Sequence, residues 1–245
     1  MERLYSYFKE NLGMDISDRQ KAQFEKYYNM LIEKNKVMNL TAITERHEVE
    51  LKHFIDSIAL GGYFNLKKDK LDVIDIGTGA GFPGIPLKIA FPWINMTLYD
   101  SLNKRVKFIQ EVIAELELSQ GASGEGKCIA IHGRAEEGGQ DKSLREKFDL
   151  VLSRAVANIT VLAEYTLPFV KLGGYFIPYK TENVDEELEQ GKKAISILGG
   201  SVEDIKKLTL PDSDIGRSFI FIKKQRKTPG IYPRKAGTAS RQPLI

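Results

Sequence analysis

The first 66 residues carry apolar positions at helical spacing. Ser17, with Gln20 three residues on, is a capping-box signal, and Phe24, Tyr27, Tyr28 and Leu31 follow with helical periodicity. A second helix places Leu51, Phe54, Ile55 and Ile58 on one face before Gly61 and Gly62 stop it. From Leu71 the texture changes to short apolar runs separated by amphipathic helices, the pattern of a parallel sheet covered on both faces. The runs predict strands over 73–76, 96–99, 127–131, 149–153 and 174–178. The helix over 104–118 turns Val106, Ile109, Val112, Ile113 and Leu116 toward the sheet. After a helix over 186–198, strands over 202–208 and 218–222 have only a loop between them, which predicts an antiparallel hairpin at the sheet edge. The expected organisation is a helical cap over 1–66, an α/β core over 67–223 and a C-terminal segment over 224–245, with a small flexible loop over 119–126.

Size agrees with that layout, since 245 residues with 42% hydrophobic content fit one α/β domain and a small appendage. The single cysteine, Cys128, lies in an apolar run that reads as a buried strand, which excludes disulfides and cysteine-rich zinc sites. The chain opens on charged and aromatic residues, and no stretch approaches the ~18 apolar residues of a membrane span, so a cytoplasmic protein without membrane contact is expected. A formal net charge of +3 does not imply a nucleic-acid partner, but its distribution is lopsided. Residues 223–245 hold seven basic side chains (Lys223, Lys224, Arg226, Lys227, Arg234, Lys235, Arg241) and no acidic one. Pro229, Gly230, Pro233, Gly237 and Pro243 make this segment look extended, either as a solvated end or as an arm that contacts phosphate.

Candidate chemistry begins after the first strand, where Asp75-Ile76-Gly77-Thr78-Gly79-Ala80-Gly81-Phe82-Pro83-Gly84 leads into a helix. Glycines there let the backbone turn sharply and approach a ligand, and amides at a helix start face an anionic group. Gly77, Gly79 and Gly81 give G-x-G-x-G, unlike the G-x-G-x-x-G of dinucleotide enzymes, which favours an S-adenosylmethionine loop. Asp100, at the end of the second strand, can accept from both hydroxyls of an adenosine ribose; it supports an adenosine cofactor without choosing between the two classes, and it could equally cap the next helix. After the third strand, Gly133-Arg134-Ala135-Glu136-Glu137 offers an acid and a backbone amide to an adenine edge, or simply a first helical turn. His53 and Asp56 stand three apart on a helix, but a packed histidine is the better reading than an acid–base pair, and His47 and His132 have no metal-ligand spacing.

Several segments together resemble the bacterial glucose-inhibited division protein B family of small-subunit rRNA guanine-N7 methyltransferases. They are Asn39-Leu40-Thr41, Lys52-His53-Phe54-Ile55-Asp56-Ser57, the glycine loop, Asp100-Ser101-Leu102-Asn103-Lys104-Arg105, Gly133-Arg134-Ala135-Glu136 and Ser153-Arg154-Ala155-Val156-Ala157. The resemblance runs from about residue 20 to the C-terminus and implies a Rossmann-like class I methyltransferase with a seven-stranded, mostly parallel sheet. It implies S-adenosylmethionine contacts at Gly77, Gly79, Phe82, Asp100, Ala135, Glu136 and Arg154, no metal, and a guanine of 16S rRNA in the small ribosomal subunit as substrate. The family usually follows its strand-five lysine with glycine, whereas here Lys180 precedes Thr181. Lys180, Arg226, Lys227, Arg234, Lys235 and Arg241 are the expected RNA contacts, and a monomer is the expected state. Guanine N7 carries an in-plane lone pair and needs no base, so catalysis is expected to rest on holding N7 in line with the sulfonium methyl. Arg154 is expected to position the RNA through phosphate or the guanine O6 edge, the alternative being a structural arginine paired with a carboxylate.

Overall fold

The computed structural model describes residues 1–67, 70–119, 125–154 and 157–245. Residues 120–124 of the expected loop, and Ala155 and Val156 of the Ser153–Ala157 motif, lie outside the described residues. The chain opens with helices α1 (Glu2–Leu12) and α2 (Asp18–Met38). Ser17 and Gln20 close the expected capping box at the start of α2. A second helical stretch runs through α3 (Arg46–Val49), a π-helical turn (Glu50–Ile55), α4 (Asp56–Ile58) and a 3-10 turn (Ala59–Gly62).

Among the described residues seven strands follow: β1 (Asp72–Ile76), β2 (Asn95–Asp100), β3 (Cys128–His132), β4 (Phe148–Arg154), β5 (Val170–Thr181), β6 (Gly200–Thr209) and β7 (Gly216–Lys224). Their spatial order is β3-β2-β1-β4-β5-β7-β6, with β1 to β5 parallel and β7 antiparallel to both neighbours. The last two strands exchange places for a compositional reason. Strand β7 holds the buried run Ser218 to Ile222, fit for a sheet interior, while β6 carries Glu203, Asp204, Lys206 and Lys207, which suit a protected edge. Helices α5 (Gly84–Ala90), α6 (Asn103–Glu115), α7 (Ala135–Gly138), α8 (Ile159–Thr166) and α9 (Asp185–Ile197) connect the strands, and α10 (Thr238–Arg241) closes the chain.

Strand alternation sends successive side chains to opposite faces, and two cores result. Val73, Met96, Leu98, Leu150 and Leu152 meet α5, α6 and the N-terminal helices on one side. Ile74, Ile76, Tyr99 and Val151 meet α8 and α9 on the other. The cap over 1–66 is therefore a layer of the main core, sharing one apolar cluster from Leu4 and Phe8 through Phe54 to Leu98. Cys128 is buried as expected, and burial pushes its thiol up to about 12.

The C-terminal segment, which its prolines and glycines made look extended, is anchored on the core by several bonds. Lys224 is buried, and its ammonium donates to the Leu167 carbonyl at 2.6 Å and to the Thr228 hydroxyl. Arg145 spreads its guanidinium over the carbonyls of Gly139, Tyr232, Thr228 and Pro229, and Arg234 forks onto Glu164. Reading the segment's own cations overlooked these partners: Glu164 lies on α8, Leu167 in the 3-10 turn that follows it, and Arg145 in the loop after α7.

Candidate active site

The glycine loop leaves β1 with Gly77, Gly79 and Gly81 at φ 71, 64 and 107, values that only glycine adopts freely. Asp75 sits beneath it, fully buried. Its Oδ2 accepts from the Thr78 hydroxyl (2.7 Å) and the Gly84 amide (3.0 Å), while Oδ1 has no partner among the described residues. Burial pushes this carboxyl up to about 6, against the opposing pull of those two donors. Across the loop, the Asp100 carboxylate at the end of β2 accepts the Gly79 amide at 2.9 Å and the Leu102 amide at 2.9 Å. Asp100 thus braces the loop and also holds the start of α6.

Between these elements lies a crevice of about 190 Å³ at the C-terminal ends of β1, β2 and β3. Of the expected residues, Gly77, Asp100, Ala135 and Glu136 line it together, and Gly79 joins them through its bond to Asp100. A Cβ placed on Gly79 would meet nothing within 4 Å, so that stretch of backbone faces open space. Tyr165 of α8 also lines the crevice, a residue that sequence reasoning missed because a lone tyrosine in an apolar helix gives no signal.

Phe82 and Arg154 belong to a second group beside the loop. The His53 ring stacks on Phe82 with centroids 4.4 Å apart, and the Arg154 guanidinium lies over Phe82 at 5.1 Å. Tyr27 packs against Phe82 and donates its hydroxyl to the Ala80 carbonyl at 2.8 Å, fastening α2 to the glycine loop. Arg154 Nη1 donates to Asp56 (3.0 Å) and to the Lys52 carbonyl (3.3 Å), and Nη2 donates to His53 Nδ1 (3.3 Å). Since guanidinium only donates, His53 is the Nε2–H tautomer, and that nitrogen gives its proton to the Thr41 hydroxyl at 2.8 Å. Burial, then the Arg154 charge, pushes the His53 pKa down to about 3. His53 is thus the packed, bonded histidine that the sequence suggested. Asp56, only 2% exposed, also receives Arg217 Nε at 2.9 Å, so one buried carboxylate ties the N-terminal helices to β4 and β7. Arg217 had no sequence signal, since its partner lies far away along the chain.

The expected RNA contacts are scattered. Lys180 donates to the Ala157 carbonyl (2.8 Å) and to Glu187. Arg234 is engaged with Glu164, and Arg226 and Arg241 reach the carbonyls of Ser196 and Gly237 from exposed positions. Lys227 and Lys235 are exposed. Among the described residues no three His, Cys, Asp or Glu gather to hold a metal, and no helix is long and apolar enough to cross a membrane.

Comparison with known proteins agrees with this geometry. The strand order, with β7 reversed between β5 and β6, departs from the all-parallel 3-2-1-4-5-6 sheet of dinucleotide enzymes. Similar folds include a sarcosine dimethylglycine methyltransferase described as putative from Galdieria sulphuraria (TM-score 0.55, 11% identity, 85% of this chain and 99% of that one). Another is a 16S rRNA (adenine(1408)-N(1))-methyltransferase from Catenulisporales acidiphilia (TM-score 0.51, 11% identity, 67% and 89%). Proteins named Ribosomal RNA small subunit methyltransferase G are far closer in sequence. That of Lachnoclostridium phytofermentans is 52% identical, covering 96% of this chain and 94% of its own length. That of Desulforamulus reducens is 53% identical, covering 96% and 95%. The model of the family described as rRNA small subunit methyltransferase G matches residues 20–215, and that match and these relatives together show that this chain belongs to that family.

Proposed function

We propose that this protein transfers a methyl group from S-adenosylmethionine to N7 of a guanine in 16S rRNA of the small ribosomal subunit. The observation that carries the reading is Asp100: a buried carboxylate bonded to the Gly79 amide on one wall of an open crevice and facing Ala135 and Glu136 across it. The residues present suit the cofactor. Gly77 lines the crevice and Gly79 leaves room for the amino-acid end, the Asp100 oxygens keep lone pairs for ribose hydroxyls, and Ala135 and Glu136 offer a flat wall and an acceptor to adenine. When bound, S-adenosylmethionine supplies an electrophilic sulfonium methyl.

The chain's own task is then placement. Guanine N7 needs no deprotonation, and His53, with both ring nitrogens engaged, is not offered as a base. Orientation alone can lower such a barrier by ~7–11 kcal/mol. Arg154 is assigned to positioning at the junction of cofactor and RNA, through a guanidinium already fixed by Asp56 and the face of Phe82. Exposed Arg226, Lys227, Lys235 and Arg241 are the candidates for phosphate contact, with Lys180 able to join them only by leaving Glu187. The same reading takes the protein as a monomer acting on small subunits in the cytoplasm. The test is transfer of labelled methyl to small subunits lacking the modification, with 7-methylguanine mapped through its labile glycosidic bond. Label on a different base, or none despite cofactor binding, would reject the proposal.

A further inference from the structure

The C-terminal segment makes contacts that simple packing does not require, because two of them end on residues that line the crevice. The Gly237 amide donates to Glu136 Oε1 at 3.0 Å, and the Ser240 hydroxyl pairs with the Tyr165 hydroxyl at 3.1 Å. Arg234 shapes the segment that presents them. Its backbone amide, Nε and Nη2 all reach the buried Glu164 carboxylate, and Nη2 also donates to the Gln242 carbonyl at 2.8 Å. Residues 234–242 are thereby drawn into a loop closed at its base, with Gly237 in the left-handed region (φ 77) and α10 at its tip.

We propose that this loop is a strap that positions the adenine end of the crevice, acting through Glu136 and Tyr165 without lining the crevice itself. The proposal rests on the cofactor reading above. Behind Glu136 lies a hollow of about 510 Å³, bounded by Glu137 and Gln140 on one side and by Ile231, Pro233 and Lys235 on the other. Among the described residues the Gly237 amide is the one hydrogen-bond partner of the Glu136 carboxylate. Without it, that side chain is free to swing into the hollow. With it, one oxygen is held and the other remains for a ligand in the crevice. Tyr165 is treated alike: Ser240 holds its hydroxyl, and with it the ring that forms part of the wall.

The test is calorimetric titration of the ligand-free protein with S-adenosylmethionine and S-adenosylhomocysteine. It compares the full chain with Ser240→Ala, Ser240→Thr, Tyr165→Phe, the Ser240→Ala/Tyr165→Phe double variant, and a chain ending at Lys235. Loss of one neutral hydrogen bond predicts affinity weakened roughly three- to tenfold in Ser240→Ala, recovered in Ser240→Thr, and no further loss when Ser240→Ala is added to Tyr165→Phe. The shortened chain loses both supports and falls further. In turnover by Ser240→Ala, KM for the cofactor rises while kcat and KM for the RNA stay at parental values. Parental affinity in Ser240→Ala together with the shortened chain overturns the strap and leaves the cofactor reading standing. Failure of the full chain to bind either ligand overturns both.

Discussion

Asp56 is the residue on which most of the second group depends. A buried carboxylate between two guanidiniums leaves both unpaired when removed, and breaking such a pair costs about 3–5 kcal/mol. Asp56→Ala is expected to show that loss in urea melts, and Asp56→Asn a smaller one; a parental midpoint for both would mean that the arginines find other partners. His53 makes a prediction in pH. Its folded pKa of about 3 lies below the ordinary 6.5, so its contribution is complete above pH 6.5 and is lost as pH falls from there toward 3, by at most about 1.4 kcal/mol per unit. Asp75 acts oppositely: with its folded pKa raised to about 6, its stabilisation is complete below 3.8 and disappears as pH rises through 6. The readout is therefore the difference between parent and His53→Gln between pH 4 and 6, where the variant should have the flatter acid branch; parallel branches would show that His53 does not titrate as described. Glycines and carboxylates next to them in sequence were legible at this scale. Tyr165 and Arg217 were not, because their roles depend on partners brought together only by folding.

Among the elements, the glycine loop separates stability from ligand space. A Cβ on Gly81 would lie 2.7 Å from Ile85 and 2.8 Å from the Tyr27 hydroxyl, whereas one on Gly79 meets nothing. Gly79→Ala is expected to lose about 1–2 kcal/mol from its left-handed backbone but to abolish most cofactor binding. Gly81→Ala should lose distinctly more stability. Thermal melts beside ligand titrations decide this, and equal melting temperatures for the two would contradict the packing described. Helix α2 offers a milder check, since Ser17→Ala removes a capping box worth about 1 kcal/mol. All seven strands and the hairpin were legible, because short runs of local pattern need no distant information. The place of β7 inside the sheet was not inferred, although the contrast between its apolar run and the charges of β6 was there to read. The C-terminal segment misled for the converse reason: its cations are conspicuous in sequence, and the acceptors that take up Lys224 and Arg234 are not.

For the whole molecule, charge on the surface must be distinguished from charge spent inside. If Lys227 and Lys235 meet phosphate, replacing both with alanine should reduce the log–log salt slope of RNA binding by about 1.4–1.8. Arg234→Ala should instead lower the melting temperature, since it strands the buried Glu164. An unchanged slope in the first variant would remove those lysines from the interface. The shared core of the N-terminal helices and the sheet predicts a single cooperative unfolding transition instead of early loss of residues 1–66. The position of β7 also bears on synthesis. Strand β6 leaves the ribosome first yet among the described residues pairs only with β7, so until residue 224 has emerged β5 presents a naked edge and β6 has nothing to join. A nascent chain stalled just short of that point should be sensitive to protease and sticky toward chaperones, and a few more residues of translation should cure both.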